Sequence, residues 1–369
     1  MKILQFGTGR FLRGFFSPIA PTDRSITVVQ SRPQADGAQR INQQGGNYHV
    51  WTRGLKSGRI IDEFEQVQTI NQALDANTQW SELVEEALKP ELTLVVSNTT
   101  AEGLQLDKRD EESGLPGTCP HSFPAKIGLL LWHRYCAGLP GVTLLPLELV
   151  EQNGSCLHRL VLEQTAQWTV TQQPEFRNWL GSENRWLNNL VDRIVVSPSS
   201  PTPWSGDDPL AVVGEPFRML AIEQDGGDQR ILPDDAMIQW TDDLSPFFLR
   251  KVRILNGLHT AMVAKFLPMG MATVLECVQT ASSREWLDQL LTEEILPTLE
   301  HQGLSENQFA ADVMERFENP FFEHRLADIA NGHETKLAIR IQPTADEFYS
   351  AFGRRPDKLT EVLTQANRI

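Results

Sequence analysis

Short apolar runs alternate with stretches of helical spacing through the first two thirds of the chain, and helical spacing dominates the last third. Lys2 to Phe6 reads as a short buried strand that stops at a glycine turn, Gly7-Thr8-Gly9. Arg10 to Ile19 then reads as a helix ending near Pro18 and Pro21. Ile26 to Gln30 is a second, β-branched strand, and Glu91 to Ser97 is another, preceded by a helix over Trp80 to Leu88. Val142 to Leu149 and Arg193 to Ser197 extend the series. This alternation predicts βαβ units and a parallel sheet, an α/β Rossmann-type fold class. Ser199 to Asp208 and Gln224 to Asp235 are turn-rich, and the region after them shows no β-rich run. From Pro246 onward the spacing predicts helices over Lys251 to Phe266, Ser283 to Glu300, Glu306 to Phe317 and His324 to Ala330. The expected division is an N-terminal domain over 1–244 and a mostly α-helical C-terminal domain over 245–369.

Composition narrows the function class. A chain of 369 residues with 40% apolar and 22% charged positions is ordinary for a soluble globular protein of two or three domains. No window of about 18 uncharged apolar residues is present, so no transmembrane helix is expected. The net charge of −15 repels polyanions, so neither nucleic acid nor an anionic membrane surface is an expected partner. Cys119, Cys136, Cys156 and Cys277 are too widely spaced for a zinc clip or a redox dithiol, and read as reduced core thiols. The apolar N-terminal run is too short for a secretory signal, which predicts a cytoplasmic protein. The acidic run Asp107 to Glu112 reads as a solvated loop, and the nine tryptophans as packing in the core and between domains.

The glycine turn is the first candidate for chemistry. Dinucleotide sites place a tight turn after a strand, so that the backbone approaches a pyrophosphate and helix N–H groups face its charge. Gly7 and Gly9 suit the first two glycine positions, while Leu12 stands where a third is usual. Arg13 offers charge to a phosphate. At the end of the second strand, Gln30-Ser31-Arg32 contains no carboxylate for a ribose hydroxyl; Ser31 and Arg32 would suit a 2′-phosphate, so NADP stays open beside NAD. Asn98 and Thr99 close a predicted strand, at the edge where a parallel sheet meets its ligand.

The segment Lys251-Val252-Arg253-Ile254-Leu255-Asn256-Gly257-Leu258-His259 is the second candidate. On a regular helix Lys251, Asn256 and His259 fall at roughly 0°, 140° and 80°, on one side. A carbonyl reduced by hydride needs a proton donor and groups that polarise it. Lys251 suits the first role, its pKa lowered by Arg250, Arg253 and burial, and Asn256 and His259 suit the second. Taken alone, the trio also reads as a solvated lysine beside two capped polar residues. Gly257 costs about 1 kcal/mol inside a helix, which suggests a close approach by a cofactor or a sheet.

Together these residues resemble the mannitol dehydrogenase family, the polyol-specific long-chain dehydrogenases. Gly7-Thr8-Gly9-Arg10-Phe11-Leu12-Arg13 is similar to that family's G-x-G-x-F-x-R turn, and Lys251, Asn256 and His259 to its K-x-x-x-x-N-x-x-H signature. Further runs, such as Val96-Ser97-Asn98-Thr99-Thr100, Val213-Gly214-Glu215-Pro216 and Arg316-Phe317-Glu318-Asn319-Pro320, resemble the branch acting on uronates. The resemblance implies a Rossmann-type domain, a helical domain and a site between them. It implies cofactor contacts at Gly7, Gly9, Phe11, Arg13, Ser31, Asn98 and Thr99, and NAD in preference to NADP. Lys251 would be general acid/base, with Asn256 and His259 on the substrate carbonyl. No metal is implied, since the lysine takes the place of a zinc ion. The implied partner is a small sugar acid whose carboxylate calls for a cation, with Lys126, His324 and Arg325 as candidates and Glu148 and Asp192 as further substrate-side residues. Asp192-Arg193 also reads as a structural ion pair. Glu148-Leu149 stands where mannitol-oxidising members have Asp-Asn, and the helical domain is expected to be shorter than the family's.

Overall fold

The structure is a computed structural model and describes residues 1–20, 25–99, 103–110, 117–170, 172–199, 201–228, 231–232, 234–299 and 304–365. Thr100, the end of the acidic run at Glu111 and Glu112, and Glu300 lie outside the described residues. The chain folds into two compact units. The first comprises 1–52, 63–214 and 218–243; the second comprises 53–62, 215–217 and 244–369. The second unit is thus assembled from three stretches of chain.

The strands begin with β1 (Lys2–Phe6) and β2 (Ile26–Gln30), followed by β3 (Tyr48–Lys56) and β4 (Arg59–Val67), whose shared hairpin end over 53–62 belongs to the second unit, and then β5 (Ile70–Asp75) and β6 (Leu92–Ser97). β7 (Thr143–Pro146), β8 (Arg185–Trp186), β9 (Asn189–Asp192), β10 (Val195–Val196), β11 (Val212–Gly214), β12 (Met219–Glu223) and β13 (Ile238–Thr241) complete the set. Six of them form a parallel sheet in the order β5-β2-β1-β6-β7-β8. Alternate residues serve its two faces. Ile3, Ile26, Val28, Leu94 and Val96 enter one buried cluster, while Leu4, Phe6, Val29, Leu92 and Val95 enter the other. A sheet covered on both faces needs such unbroken apolar strands. β2 and β6 leave β1 on opposite sides, so the chain order reverses there, and the crevice beyond the carboxyl ends of β1 and β6 is where such sheets bind ligands.

Two smaller sheets, β10-β11-β3-β4 and β13-β12-β9, were not expected from the sequence. β13 falls where no β-rich run was apparent, because its four residues alternate apolar and polar on a half-exposed edge. β4 is exposed over almost its whole length, so burial leaves little pattern in its sequence. The expected strand over 142–149 shortens to β7, and that over 193–197 shortens to β10, with β9 lying just before it. The aromatic residues Trp132, Tyr135, Trp168, Phe176 and Trp179 stack as one cluster in the first unit. All four cysteines are free, but only Cys277 is buried; Cys136 is exposed, so the description as core thiols holds for one of the four. Asp110 corrects the picture of a solvated acidic loop: it is buried and accepts from the N–H groups of His121 and Ser122 at 2.7 Å each.

The second unit is helical around one core to which Ile254, Leu258, Met262, Leu287, Val313, Leu326, Ile341 and Leu359 belong. Glu306–Phe317 is a regular helix as expected. The segment expected as one helix over 251–266 is built from three pieces. Ser245–Arg250 is α-helical, Lys251–Asn256 is a π-helix, and Gly257–Phe266 returns to α. A second π segment, Leu290–Ile295, interrupts the next long helix, and a third, Leu337–Ile341, leads into Gln342–Phe352.

Candidate active site

The first unit carries the glycine turn. Gly7 has φ +131°, and a Cβ there would meet Leu12 Cδ1 at 3.0 Å and the Asn98 carbonyl at 3.1 Å, so only glycine fits. Its N–H donates to the Val29 carbonyl at 3.0 Å, and the Asn98 N–H donates to the Phe6 carbonyl at 3.0 Å, which ties the turn to both neighbouring strands. Gly9 differs: a Cβ added to it would meet nothing within 4 Å. The helix that follows, Arg10–Phe15, has no side-chain N-cap, which leaves its first N–H groups to a ligand or water. Phe11 lies stacked on Phe15, with ring centroids 4.8 Å apart.

Arg13 does not do what the motif suggested. It is buried, and its guanidinium donates to the Leu210 carbonyl at 2.9 Å and to the Thr8 carbonyl. It braces the turn from behind, which corrects the expectation of charge offered to a phosphate. Glu148 is likewise internal. One carboxylate oxygen accepts from the Thr99 N–H at 2.8 Å and the Thr99 hydroxyl at 2.9 Å, and the other from Ser97 at 3.0 Å. Burial pushes its pKa up, and these hydrogen bonds oppose the shift. With the Asn98 amide donating to the Leu147 carbonyl at 2.7 Å, the loop after β6 is pinned to β7. Glu148 therefore positions Thr99 and is not open to a substrate.

Lys126 is 1% exposed in the helix Phe123–Cys136, and its ammonium donates to the His121 carbonyl at 2.6 Å. Burial lowers its pKa. An ammonium so enclosed serves the fold, not a substrate carboxylate. Asp192 closes β9, and Arg193 donates to the Gly14 carbonyl and to the Thr52 hydroxyl, the latter at 3.3 Å. Ser31 keeps a buried hydroxyl without a hydrogen-bond partner among the described residues. Beside it stands a group the sequence did not reveal: Asp75, at the end of β5, accepts from Gln30 at 3.2 Å across the sheet and from the Asn77 amide at 2.8 Å. The neighbouring strand thus places a carboxylate beside the end of β2.

In the second unit, the π-helix reorders the lysine segment. A π turn closes between residues i and i+5, so Lys251 and Asn256 stand nearly one above the other, where a regular helix would separate them by about 140°. His259, three residues on in the α segment, is about 60° from Asn256 around the axis. Lys251 and Asn256 are half-exposed, while His259 is buried at 8% exposure. The His259 ring packs 4.6 Å from both Phe317 and His324, and its Nε2 is a buried atom with no hydrogen-bond partner among the described residues. Burial first, then His324, Arg316, Arg340 and Lys336, hold its pKa well below the usual histidine value. It is a neutral imidazole at neutral pH.

Arg253 is buried and pairs with Glu347 while donating to the Thr298 carbonyl at 3.0 Å, and Arg250 lies over the rings of Phe247 and Phe309. Among the described residues, a Cβ at Gly257 would meet the Val252 carbonyl of its own helix at 3.5 Å. Arg325 forms an exposed ion pair with Glu323 at 2.8 Å, whereas His324 is drawn in beside His259. Sequence reasoning missed Lys336 and Arg340, four residues apart and both facing the histidine electrostatically. It also missed the buried bidentate pair of Arg316 with Glu215, at 2.8 and 2.9 Å.

A dinucleotide fits the first unit: at Gly9 an added Cβ would enter open space over an uncapped helix start, and the surrounding polar groups are already braced from behind. Fold and residues together define a dehydrogenase of two parts, a nucleotide-type sheet and a helical unit with the lysine set. The chain belongs to the mannitol dehydrogenase family: residues 1–231 match the mannitol dehydrogenase Rossmann domain, and 243–366 the mannitol dehydrogenase C-terminal domain. It is 33% identical to the altronate oxidoreductase of Halalkalibacterium halodurans over 97% of this chain and 73% of that one. With the altronate oxidoreductase of Bacillus subtilis it shares 34% identity over 97% of this chain and 77% of the relative. Among solved structures, a D-sorbitol dehydrogenase superposes with a TM-score of 0.84 at 19% identity, covering 99% of this chain and 79% of its own. Mannitol 2-dehydrogenase of Pseudomonas fluorescens, solved with NAD and D-mannitol, gives 0.75 at 20% identity, covering 99% and 78%.

Proposed function

We propose that the protein is an NAD(H)-dependent reductase of a keto-uronate, interconverting tagaturonate and altronate. The observation that carries this reading is the π-helix, which stacks Asn256 under Lys251 and follows them with the unpartnered Nε2 of His259. When bound, the nicotinamide supplies the hydride. The Lys251 ammonium donates the proton to the developing alkoxide and recovers it in the reverse direction. The Asn256 amide and His259, in the tautomer carrying hydrogen on Nε2, donate to the same oxygen and polarise the carbonyl. The buried, neutral state of His259 keeps it a donor without adding a charge that would compete with the lysine.

The altronate oxidoreductases at 33–34% identity support a sugar acid as substrate. So does the charge around His259: Lys336 and Arg340 give a carboxylate its counter-charge, while Arg316 is already neutralised by Glu215. NAD is favoured over NADP by Asp75, whose carboxylate at the end of β2 would oppose a 2′-phosphate. The test is NADH oxidation followed with tagaturonate, fructuronate, fructose and other ketoses. Highest kcat/KM on tagaturonate supports the reading, fructuronate in first place moves it to the sister activity, and a neutral ketose in first place overturns it. An Arg340→Gln variant should raise KM for the uronate more than for a neutral ketose.

A further inference from the structure

We propose that two copies of this chain pair through β4, antiparallel about a two-fold axis at Asp62. β4 is the terminal strand of its sheet, nine residues long and exposed from Arg59 to Gln66 except at half-buried Ile61. An edge of this length offers unpaired backbone groups to another strand and is usually shortened, bulged or covered. Here it is held in place. The hairpin between β3 and β4 turns at Ser57-Gly58, with φ of +53° and +72°, and Glu315 accepts from the Ser57 and Gly58 N–H groups at 3.1 and 2.6 Å.

The occupant follows from the sequence of the strand. Placing Asp62 opposite Asp62 of a second copy sets Arg59 opposite Glu65 twice and Ile60 opposite Phe64 twice. Directly opposed residues are the unit of sheet stabilisation, and opposite charges and apolar–aromatic pairs are favourable there. Shifting the centre to Ile61 keeps a charge pair, Arg59 with Glu63, but sets Ile60 against Asp62. Shifting it to Glu63 sets Glu63 against itself and Ile61 against Glu65. The like pair at the preferred centre is offset, because each Asp62 is paired with its own Arg53 at 3.0 Å. The apolar side is continuous as well. His49 stacks on Trp204 at 4.8 Å, Phe64 meets both rings at about 6 Å, and Phe64 remains 48% exposed with Ile60 at 65%. The second copy's Ile60 would extend that cluster over Phe64.

The experiment is sedimentation velocity of the full chain at micromolar concentration, on wild type and three variants. Wild type should sediment as a dimer of the 41.6 kDa chain. Arg59→Glu and Glu65→Arg should each become monomeric, since each creates two like-charge pairs, and the combined variant should dimerise again. In parallel, Asp62→Cys should form an intermolecular disulfide under mild oxidation, because directly opposed Cα atoms lie about 4.5–5.5 Å apart, within disulfide reach. Glu63→Cys, placed opposite Ile61, should not. A monomeric wild type overturns the proposal. So does a dimer that survives either single reversal, or cross-linking equal at the two cysteine positions, which would point to another interface.

Discussion

The two candidate sites differ in the groups they leave open. Around the glycine turn nearly every chemistry-bearing side chain has a protein partner: Arg13 on two carbonyls, Glu148 on Ser97 and Thr99, Asn98 on Leu147. The open features there are backbone ones, the space at Gly9 and the uncapped helix start. At the lysine segment the open group is a side-chain atom: the buried His259 Nε2 has no hydrogen-bond partner among the described residues and lies in the field of several cations. Buried polar atoms are rarely left so without cause. In the proposed reading, the first unit receives the cofactor on its backbone and the second holds the substrate oxygen at the open histidine nitrogen.

The most severe way to break the comparison is to open the buried ion pair that completes the second unit. Arg316 and Glu215 have side chains only 5% and 1% exposed. Glu215→Ala leaves a buried guanidinium uncompensated and should cost about 3–5 kcal/mol, read as a fall in the denaturant midpoint. Replacing both partners by apolar residues should recover much of that loss, and a double variant as unstable as the single one would contradict the assignment.

The glycines offer a sharper contrast within the first unit. Gly7→Ala places a Cβ against Leu12 and the Asn98 carbonyl at a backbone angle that side chains avoid, and should cost about 1–3 kcal/mol of stability. Gly9→Val should leave the melting temperature within a few degrees of wild type and weaken NADH binding strongly, as measured by calorimetry. Equal effects of the two changes on stability would refute the division between framing and receiving glycine.

Acid distinguishes the units less strongly. His259 and His324 both have folded pKa values below the usual 6.5, burial being the main cause. Below about pH 6.5 the unfolded chain takes up protons that the folded state resists. Stability present at neutral pH is therefore lost as pH falls from 6.5 toward the folded values, and nothing is gained above 6.5. A His259→Gln variant should flatten this part of the stability curve relative to wild type. An unchanged slope between pH 6.5 and 5 would show that His259 is not held neutral by the fold. The smallest effect concerns cofactor choice: Asp75→Ser should raise kcat/KM for NADPH relative to NADH several-fold and leave the fold intact.

Much of this architecture was legible in the sequence wherever one physical pattern governed a segment. β1, β2 and β6 were visible because both faces of the sheet demand apolar residues, and the helix at Glu306–Phe317 because one face does. The lysine, asparagine and histidine were visible as residue types at a motif's spacing. Their geometry was not, because a π turn changes the closure of the backbone without changing which residues are apolar. Arg13, Lys126 and Glu148 misled for a common reason. Charged residues are ordinarily exposed, and only the assembled fold shows the carbonyls and hydroxyls that enclose these three. Asp75 was hidden differently: it reaches the end of β2 through sheet order, 45 residues beyond Gln30 along the chain.

The central claim is that the second unit performs the proton transfer while the first holds the cofactor. The most direct test is a single variant, Lys251→Ala, measured by stopped-flow NADH oxidation on tagaturonate and by NADH titration. General acid/base catalysis contributes typically about 10²–10⁴-fold, so kcat should fall by that order while the NADH dissociation constant changes little. Asn256→Ala and His259→Ala should each cost less, and neither should add its full effect to the lysine change, since all three act on one oxygen. A Lys251→Ala enzyme with near-normal kcat, or one whose defect lies in NADH affinity, would contradict the account.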